Sequence, residues 1–445
     1  MKKTKKQLTI IATIALMLVL LLSGCEQSDM PPQDITDAVT DTASIPEPDA
    51  VLVKDGSSAY SICISESASD AVKAAAEELS AAILGSTDVS LPVTNGDADS
   101  AIYITTDYSV ELGEYGYAIT VSDGDVYINA ACEDSLMYAL AIFDNTFIAP
   151  SDGELTLSVD ADITVKRDEK LILADYIDLG LEVETELSTV GLYDGVTVDS
   201  KEYYISQGAA TDGEYIYVVL KHSEYLGVVV KLDFNGSTIA ISEPHDFGHA
   251  NDMTFDTDKN LIVLVHGTSY ENTKNGNGNG RRFSLLDPDT LDLVYTTETG
   301  FDIGKEAGAI SYNTETGVYT IGRLCTYYHQ FKMNDDYSLT YSFSTTRGTA
   351  EEEGRVGYTG QGLGGDNRYV YFPYSGTQKG IPSNLLVVYD NFGKYVTTIS
   401  IDSPMESESL FFTEGRYYIC FNWGDAYIHE LLYKPVYRAA AEANT

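Results

Sequence analysis

The chain has 445 residues, with 27 Lys and Arg against 68 Asp and Glu and a formal net charge of −41 at pH 7. So acidic a chain repels nucleic acid and anionic lipid, which excludes nucleic acid as a partner except through a local basic patch. Its length exceeds what one hydrophobic core usually holds, so two folded domains are expected.

Lys2, Lys3, Lys5 and Lys6 precede an apolar run from Leu8 to Leu22, and the small residues Ser23 and Gly24 follow. This is the pattern of an export signal, because the run is shorter than the ~20 apolar residues a spanning helix needs. The phrase Leu22-Ser23-Gly24-Cys25 resembles the lipobox of bacterial lipoproteins. The resemblance implies that residues 1–24 are a signal peptide and that Cys25 is acylated, with palmitate among its lipids. The chain would then be held on a cell membrane, facing outside the cytoplasm. An ordinary secretory leader with an incidental cysteine is the alternative. Residues 25–50 are rich in Asp, Thr, Ser and Pro and read as a disordered tether.

Residues 51–165 read as a small α/β domain. Alternation over Ala59–Ser65 predicts a strand, and an Ala-rich stretch from Ser69 through Leu84 predicts a helix that Gly85 stops. Short strands follow at Leu91–Thr94 and Ala101–Thr105. Strands Tyr117–Ser122 and Asp125–Asn129 flank Asp123-Gly124, a two-residue hairpin signal, and a second helix fits Asp134–Phe147. The phrases AAAEELSAAILG, LPVTN, AIYITT, GEYGYAITVSDGDVYINA and SLMYALAIFDNTF, in this order, resemble the non-catalytic α/β domain that precedes the barrel of β-hexosaminidases and α-glucuronidases. No barrel follows in this chain, so the resemblance implies a scaffold near carbohydrate and no activity. Cys63, Cys132, Cys325 and Cys420 lack metal or redox spacing and read as buried thiols, with a Cys63–Cys132 bridge as the alternative.

Residues 166–438 carry a repeat, and 439–445 are a tail. Five segments share a strand, a tight polar turn and a second strand: TDGEYIYVVL, FDTDKNLIVLV, YNTETGVYTIG, DNRYVYFPY and TEGRYYICFN. Two further strands follow most of them, giving four strands per 45–55 residues, the signature of a β-propeller. The last unit shows three strands, and apolar chain near Leu171–Leu187 is expected to supply its fourth and close a ring of five blades. The Gln-Gly pair at Gln207, the GHANDMTF stretch from Gly248, Gln361-Gly362 and the Glu-x-Glu at Glu406 resemble a family of five-bladed propeller modules of Gram-positive cell surfaces. That resemblance implies cell-surface binding.

Innermost strands line the axis of a propeller, and side chains two apart share a direction. One axial ring therefore holds Gln207, Asn251, Gly308, Gln361 and Glu408; the other holds Ile205, His249, Glu306, Thr359 and Glu406. Alternation turns Asp252 away from Asn251. So many oxygens suit ordered water or a hard cation such as Ca²⁺, and Glu306, Glu406 and Glu408 are candidate catalytic carboxylates of a glycoside hydrolase. Loops at the same end bring Lys221, His222 and Tyr225; Tyr270, Lys274, Arg281 and Arg282; Arg323, Tyr327 and Tyr328; Tyr374 and Lys379; and Trp423. Aromatic rings stack on sugars and Arg forks pair with anions, so these residues suggest a face for an anionic glycan. The run Asn275–Gly280 reads as a loop, and Glu351-Glu352-Glu353 as a solvated one. The expected function is a non-catalytic binder of cell-wall or environmental polysaccharide, with a channel hydrolase and a platform for surface proteins as alternatives.

Overall fold

The computed structural model describes residues 50–106, 111–149, 156–191, 194–222, 226–266, 282–297, 308–323, 327–378, 381–422 and 426–438. The leader, Cys25 and the tether up to residue 49 lie outside them, whereas Ala50, expected as the last residue of the tether, opens strand Ala50–Val53 and pairs with Val159. Among the described residues no helix is long and apolar enough to cross a membrane.

The α/β domain is a six-stranded sheet in the order 93–95, 61–64, 101–105, 125–130, 117–122 and 162–165. Strands 61–64, 93–95, 101–105 and 125–130 run parallel; the Asp123-Gly124 hairpin returns the fifth strand antiparallel. Helix α1 (Asp70–Thr87) starts at Ser69, whose Oγ accepts from the Val72 N–H at 3.2 Å. Val72, Ala75, Ala76, Leu79 and Ile83 bury one face of it against the sheet. Gly85 does not stop α1. The helix passes through it to Thr87, and Asp88 ends it in the left-handed region, its N–H on Leu84 O at 2.8 Å. Helix α2 (Glu133–Phe143) widens into a π-helical turn over Asp144–Ile148, so the chain is helical over the whole expected span and one residue beyond it at each end. Cys63 and Cys132 are both free thiols, so no bridge joins them.

The rest is a five-bladed β-propeller. Blade 1 is built from Ile205–Thr211, Ile216–Lys221, Leu226–Leu232 and Thr238–Ile241; blade 2 from Asp252–Asp256, Leu261–Val265, Phe283–Leu286 and Leu293–Thr296. Blade 3 comprises Ala309–Asn313, Val318–Arg323, Tyr327–Met333 and Leu339–Thr346. In blade 4 the inner strand is broken into Tyr358–Gly360 and Gly364–Gly365, followed by Tyr369–Gln378, Ile381–Asp390 and Tyr395–Ile401. Blade 5 takes Glu406–Thr413, Arg416–Asn422 and Ile428–Val436 from the end of the chain. Its outer strand is Glu182–Gly191, antiparallel to Ile428–Val436 from Glu182↔Val436 to Gly191↔Ile428, and this closes the ring. Residues 173–178, inside the apolar stretch expected to be strand, form helix α3 (Leu173–Asp178) instead.

Buried tyrosine–aspartate bonds latch neighbouring blades at the inner-strand hairpins. Asp366 of blade 4 accepts from the Tyr371 hydroxyl at 2.6 Å and from Tyr417 of blade 5; Asp256 of blade 2 accepts from Tyr319 of blade 3. A phenol packed in a core needs such a partner. Tyr417→Phe is expected to cost about 1.5–3 kcal/mol, the value of a hydrogen bond to a charged group, read as a lower urea midpoint at unchanged slope.

The α/β domain docks at this hairpin end. Tyr176 of α3 lies between Tyr138 of α2 and Tyr433 of blade 5, at 6.4 and 6.1 Å between ring centres. Asp175 receives Arg167 at 3.1 Å and Arg368 at 2.9 Å, while Asp178 takes Arg368 at 2.8 Å and the Tyr369 hydroxyl.

Candidate functional site

At the opposite end, where the inner strands begin, polar side chains gather round the axis. Two of them stand on β-bulges. In blade 1 Ser206 pairs with Leu220 and Gly208 with Val219, so Gln207 is left without a partner; in blade 5 Ser407 pairs with Phe421 and Ser409 with Cys420, which leaves Glu408. A bulge re-aims its extra residue. The glycine after Gln207 is needed because a Cβ there would sit 2.8 Å from Asp252 Cα. At Gly362 the added atom would sit 2.2 Å from Glu408 O.

The amides are oriented by their neighbours. Gln207 Nε2 donates to Ser206 O at 2.8 Å, Asn251 Nδ2 to Gly308 O at 2.7 Å, and Gln361 Nε2 to Glu406 Oε1 at 2.7 Å. Each acceptor is a carbonyl or carboxylate, so nitrogen must face it and the amide oxygen is turned the other way. Asn422, paired across the strands with Glu406, hydrogen-bonds Glu408; its buried Oδ1 has no partner among the described residues.

Electrostatics separate the acids. Burial, then the neighbouring Glu406, pushes the Glu408 carboxyl well above the ordinary range. Lys221, facing Glu408, is lowered by burial. His249 is exposed at the channel mouth; desolvation by the surrounding protein and then the Lys221 charge lower its imidazole to about 4, against a hydrogen bond to Asn251 that raises it.

Asp252 plugs the axis beneath this belt. Oδ2 accepts from Ile310 N and Leu363 N, both at 2.9 Å, and Oδ1 from Met253 N at 2.9 Å and Ser409 Oγ at 2.7 Å. One carboxyl thus ties blades 2, 3, 4 and 5 together. Burial pushes it up to about 8 despite those donors. The acid form is also satisfied: its proton goes to Ser409 Oγ, whose own hydrogen reaches Ala209 O at 3.4 Å. Alternation places Asp252 away from the axis; that expectation fails because the inner strand of blade 2 begins only at Asp252, after Ala250 in the left-handed region, so the period of two does not run back through Asn251.

Of the other expected site residues, Tyr374 does not reach a ligand face. It is fully buried, its hydroxyl taking Arg347 Nη2 at 2.5 Å; Tyr328 is likewise buried. Arg282 is half-buried and donates Nε to Thr297 O at 3.0 Å within blade 2. Glu306, Arg281 and Trp423, with Tyr225, Tyr270, Lys274 and Lys379, lie outside the described residues, as do the side chains of Arg323 and Tyr327. Nor is Glu353 solvated: its side chain is buried between Arg355 Nε and Arg347 Nη2, the latter at 3.8 Å. Among the described residues no three His, Cys, Asp or Glu side chains are grouped to hold a metal ion, so the Ca²⁺ expectation finds no carboxylate cage there. Asn422 and Lys221, missed or undervalued as axial residues, each end the second strand of a blade, where VVLK and ICFN stop on a polar residue.

A cavity of about 270 Å³ does not coincide with this belt. It opens at the hairpin end, between the far ends of all five inner strands.

Residues 41–147 match the family model described as glycosyl hydrolase family 20, domain 2. That match ends before the propeller begins. No curated protein matches the chain. Among solved structures, the nidogen/laminin complex aligns at 11% identity over 51% of this chain and 74% of that one, with a TM-score of 0.30. The β-propeller domain of Cps50 (Swd1) from Myceliophteria thermophila aligns at 7% identity over 56% of this chain and 99% of that one, with a TM-score of 0.32.

Proposed function

We propose that this chain is a membrane-anchored extracytoplasmic lipoprotein, acylated at Cys25, whose propeller binds cell-wall or environmental polysaccharide without cleaving it. The observation that carries this reading is the orientation of the axial amides. With the nitrogens of Gln207 and Gln361 engaged by the protein, their oxygens and the Glu406 carboxylate make an acceptor-rich mouth beside His249, which is hydrogen-bonded to Asn251. Sugar hydroxyls are donors that suit it. The family match over residues 41–147 adds a domain type that accompanies glycoside hydrolases. On a glycan array the chain without its leader is expected to bind a polysaccharide. Gln361→Ala and Glu406→Ala should each weaken that binding roughly tenfold, the first by removing an amide acceptor and the support of Glu406, the second by removing a charged acceptor. Capture of a stoichiometric protein with no glycan affinity would replace this reading by that of a protein platform.

A channel hydrolase is the second reading, favoured by the contrast between Glu408, raised by burial, and the more accessible Glu406 beside it. Carboxyls driven apart in this way can act as acid and base. Turnover of chromogenic glycosides that disappears in Glu408→Gln would establish it.

A further inference from the structure

We propose that a second ligand site lies in the cavity at the hairpin end of the propeller axis, and that it takes an uncharged, hydroxyl-rich ring the size of one sugar unit. It is independent of the axial mouth, from which the Asp252 plug divides it. Its volume, about 270 Å³, falls just below the ~300–1,000 Å³ of most small-molecule sites and suits a single ring.

The lining selects for charge by what it lacks. It contains no Lys, Arg, His or Glu, and its one carboxylate, Asp212, already accepts three hydrogen bonds. Oδ1 accepts from Glu214 N at 2.8 Å and Tyr215 N at 2.7 Å, and Oδ2 from the Tyr217 hydroxyl at 2.6 Å. An anion entering a chain of net charge −41 meets no compensating cation there, and a cation meets no free carboxylate. A neutral ligand suffers neither penalty.

Polar recognition is nevertheless available. The hydroxyls of Thr254, Ser311 and Thr413, from blades 2, 3 and 5, make no hydrogen bond to any described residue. Each can both donate and accept, which suits the hydroxyls of a sugar. Phe412, half-buried at the wall with its ring 4.7 Å from that of Tyr417, adds apolar surface. On the blade 4 side Gly364 and Gly365 present backbone beside Asn367, and a Cβ at Gly365 would stand 3.0 Å from Ser311 Oγ.

Location links the site to the other domain. Asn367 and Thr413 line the cavity, and their neighbours Arg368 and Gly415 meet the segment that leads out of the α/β domain. Arg368 pairs with Asp175 and Asp178, and a Cβ at Gly415 would lie 3.5 Å from Ile172 Cγ2. The site thus opens beside the domain whose family accompanies glycoside hydrolases.

The test is saturation-transfer NMR and calorimetry on the full chain in detergent, with methyl hexopyranosides and neutral oligosaccharides against glucuronate and glucosamine. Neutral rings should bind, and Thr254→Val and Thr413→Val, which remove only a hydroxyl, should each weaken them three- to tenfold at unchanged melting temperature. No binding of neutral rings by the parent overturns the proposal, as does equal binding of the charged ones. Binding lost in Glu406→Ala but kept in both Thr variants also overturns it, and assigns the sugar to the axial mouth.

Discussion

Asp252→Asn is expected to flatten the fall in stability between about pH 4 and pH 8, whereas Asp252→Ala should destabilise the propeller at every pH. The sign follows from linkage. A carboxyl whose folded pKa is raised to about 8 holds a proton that the unfolded chain, near 3.9, has already released. Its contribution is therefore complete below about pH 4 and is lost as pH rises through about 8, at up to ~1.4 kcal/mol per pH unit for one proton. Glu408, raised in the same direction, adds to the slope. Asn mimics the protonated acid: its oxygen accepts from Ile310 N and Leu363 N while its nitrogen donates to Ser409 Oγ, and only the Met253 bond is lost. Ala orphans both blade-tying N–H groups, a cost of about 2–5 kcal/mol. Urea unfolding of the three proteins at pH 5, 6.5 and 8 provides the check. A parent slope no steeper than that of Asp252→Asn would mean that Asp252 stays ionised throughout.

Glu353→Ala is expected to lower stability by about 3–5 kcal/mol, because it strands two buried guanidiniums. Arg347 is stacked 3.8 Å from the centre of the Phe372 ring and bonded to the Tyr389 hydroxyl at 2.8 Å; Arg355 reaches Gly348 O at 2.9 Å. Glu353 is the only acid paired with either among the described residues. Glu351→Ala, two residues away and exposed, should stay within about 0.5 kcal/mol of the parent. Equal effects of the two changes on the denaturation midpoint would show that the triplet acts only as surface charge.

The propeller was legible because its units repeat a hairpin, and a repeated polar turn between Tyr- and Val-rich strands survives differences in every other position. The α/β strands were legible to within a residue or two where alternation was strict, as at Ala101–Thr105 and Tyr117–Ser122. What escaped depended on single-residue irregularities and on contacts distant in sequence. The bulges at Gln207 and Glu408 interrupt the period of two in blades 1 and 5, and in blade 2 the left-handed Ala250 interrupts it just before Asp252. The burial of Glu353 follows from arginines six residues before and two after it, a pairing that composition hides inside an acidic triplet. Tyr374 and Tyr328 have the residue type of a sugar platform, and only their strand partners reveal that they pack inside blades.

Ring closure also sets a schedule for biosynthesis. Strand Glu182–Gly191 leaves the ribosome about 240 residues ahead of the strand it must join, Thr189 lying that far from His429. Throughout that interval it is a bare edge, able to recruit any extended segment of another nascent chain. Its sequence answers the hazard: Glu182, Glu184 and Glu186 recur on one face, which remains exposed after closure, and like charges keep two copies from zippering together. A product truncated before Ile428 would carry that edge permanently, with only these three glutamates between it and aggregation.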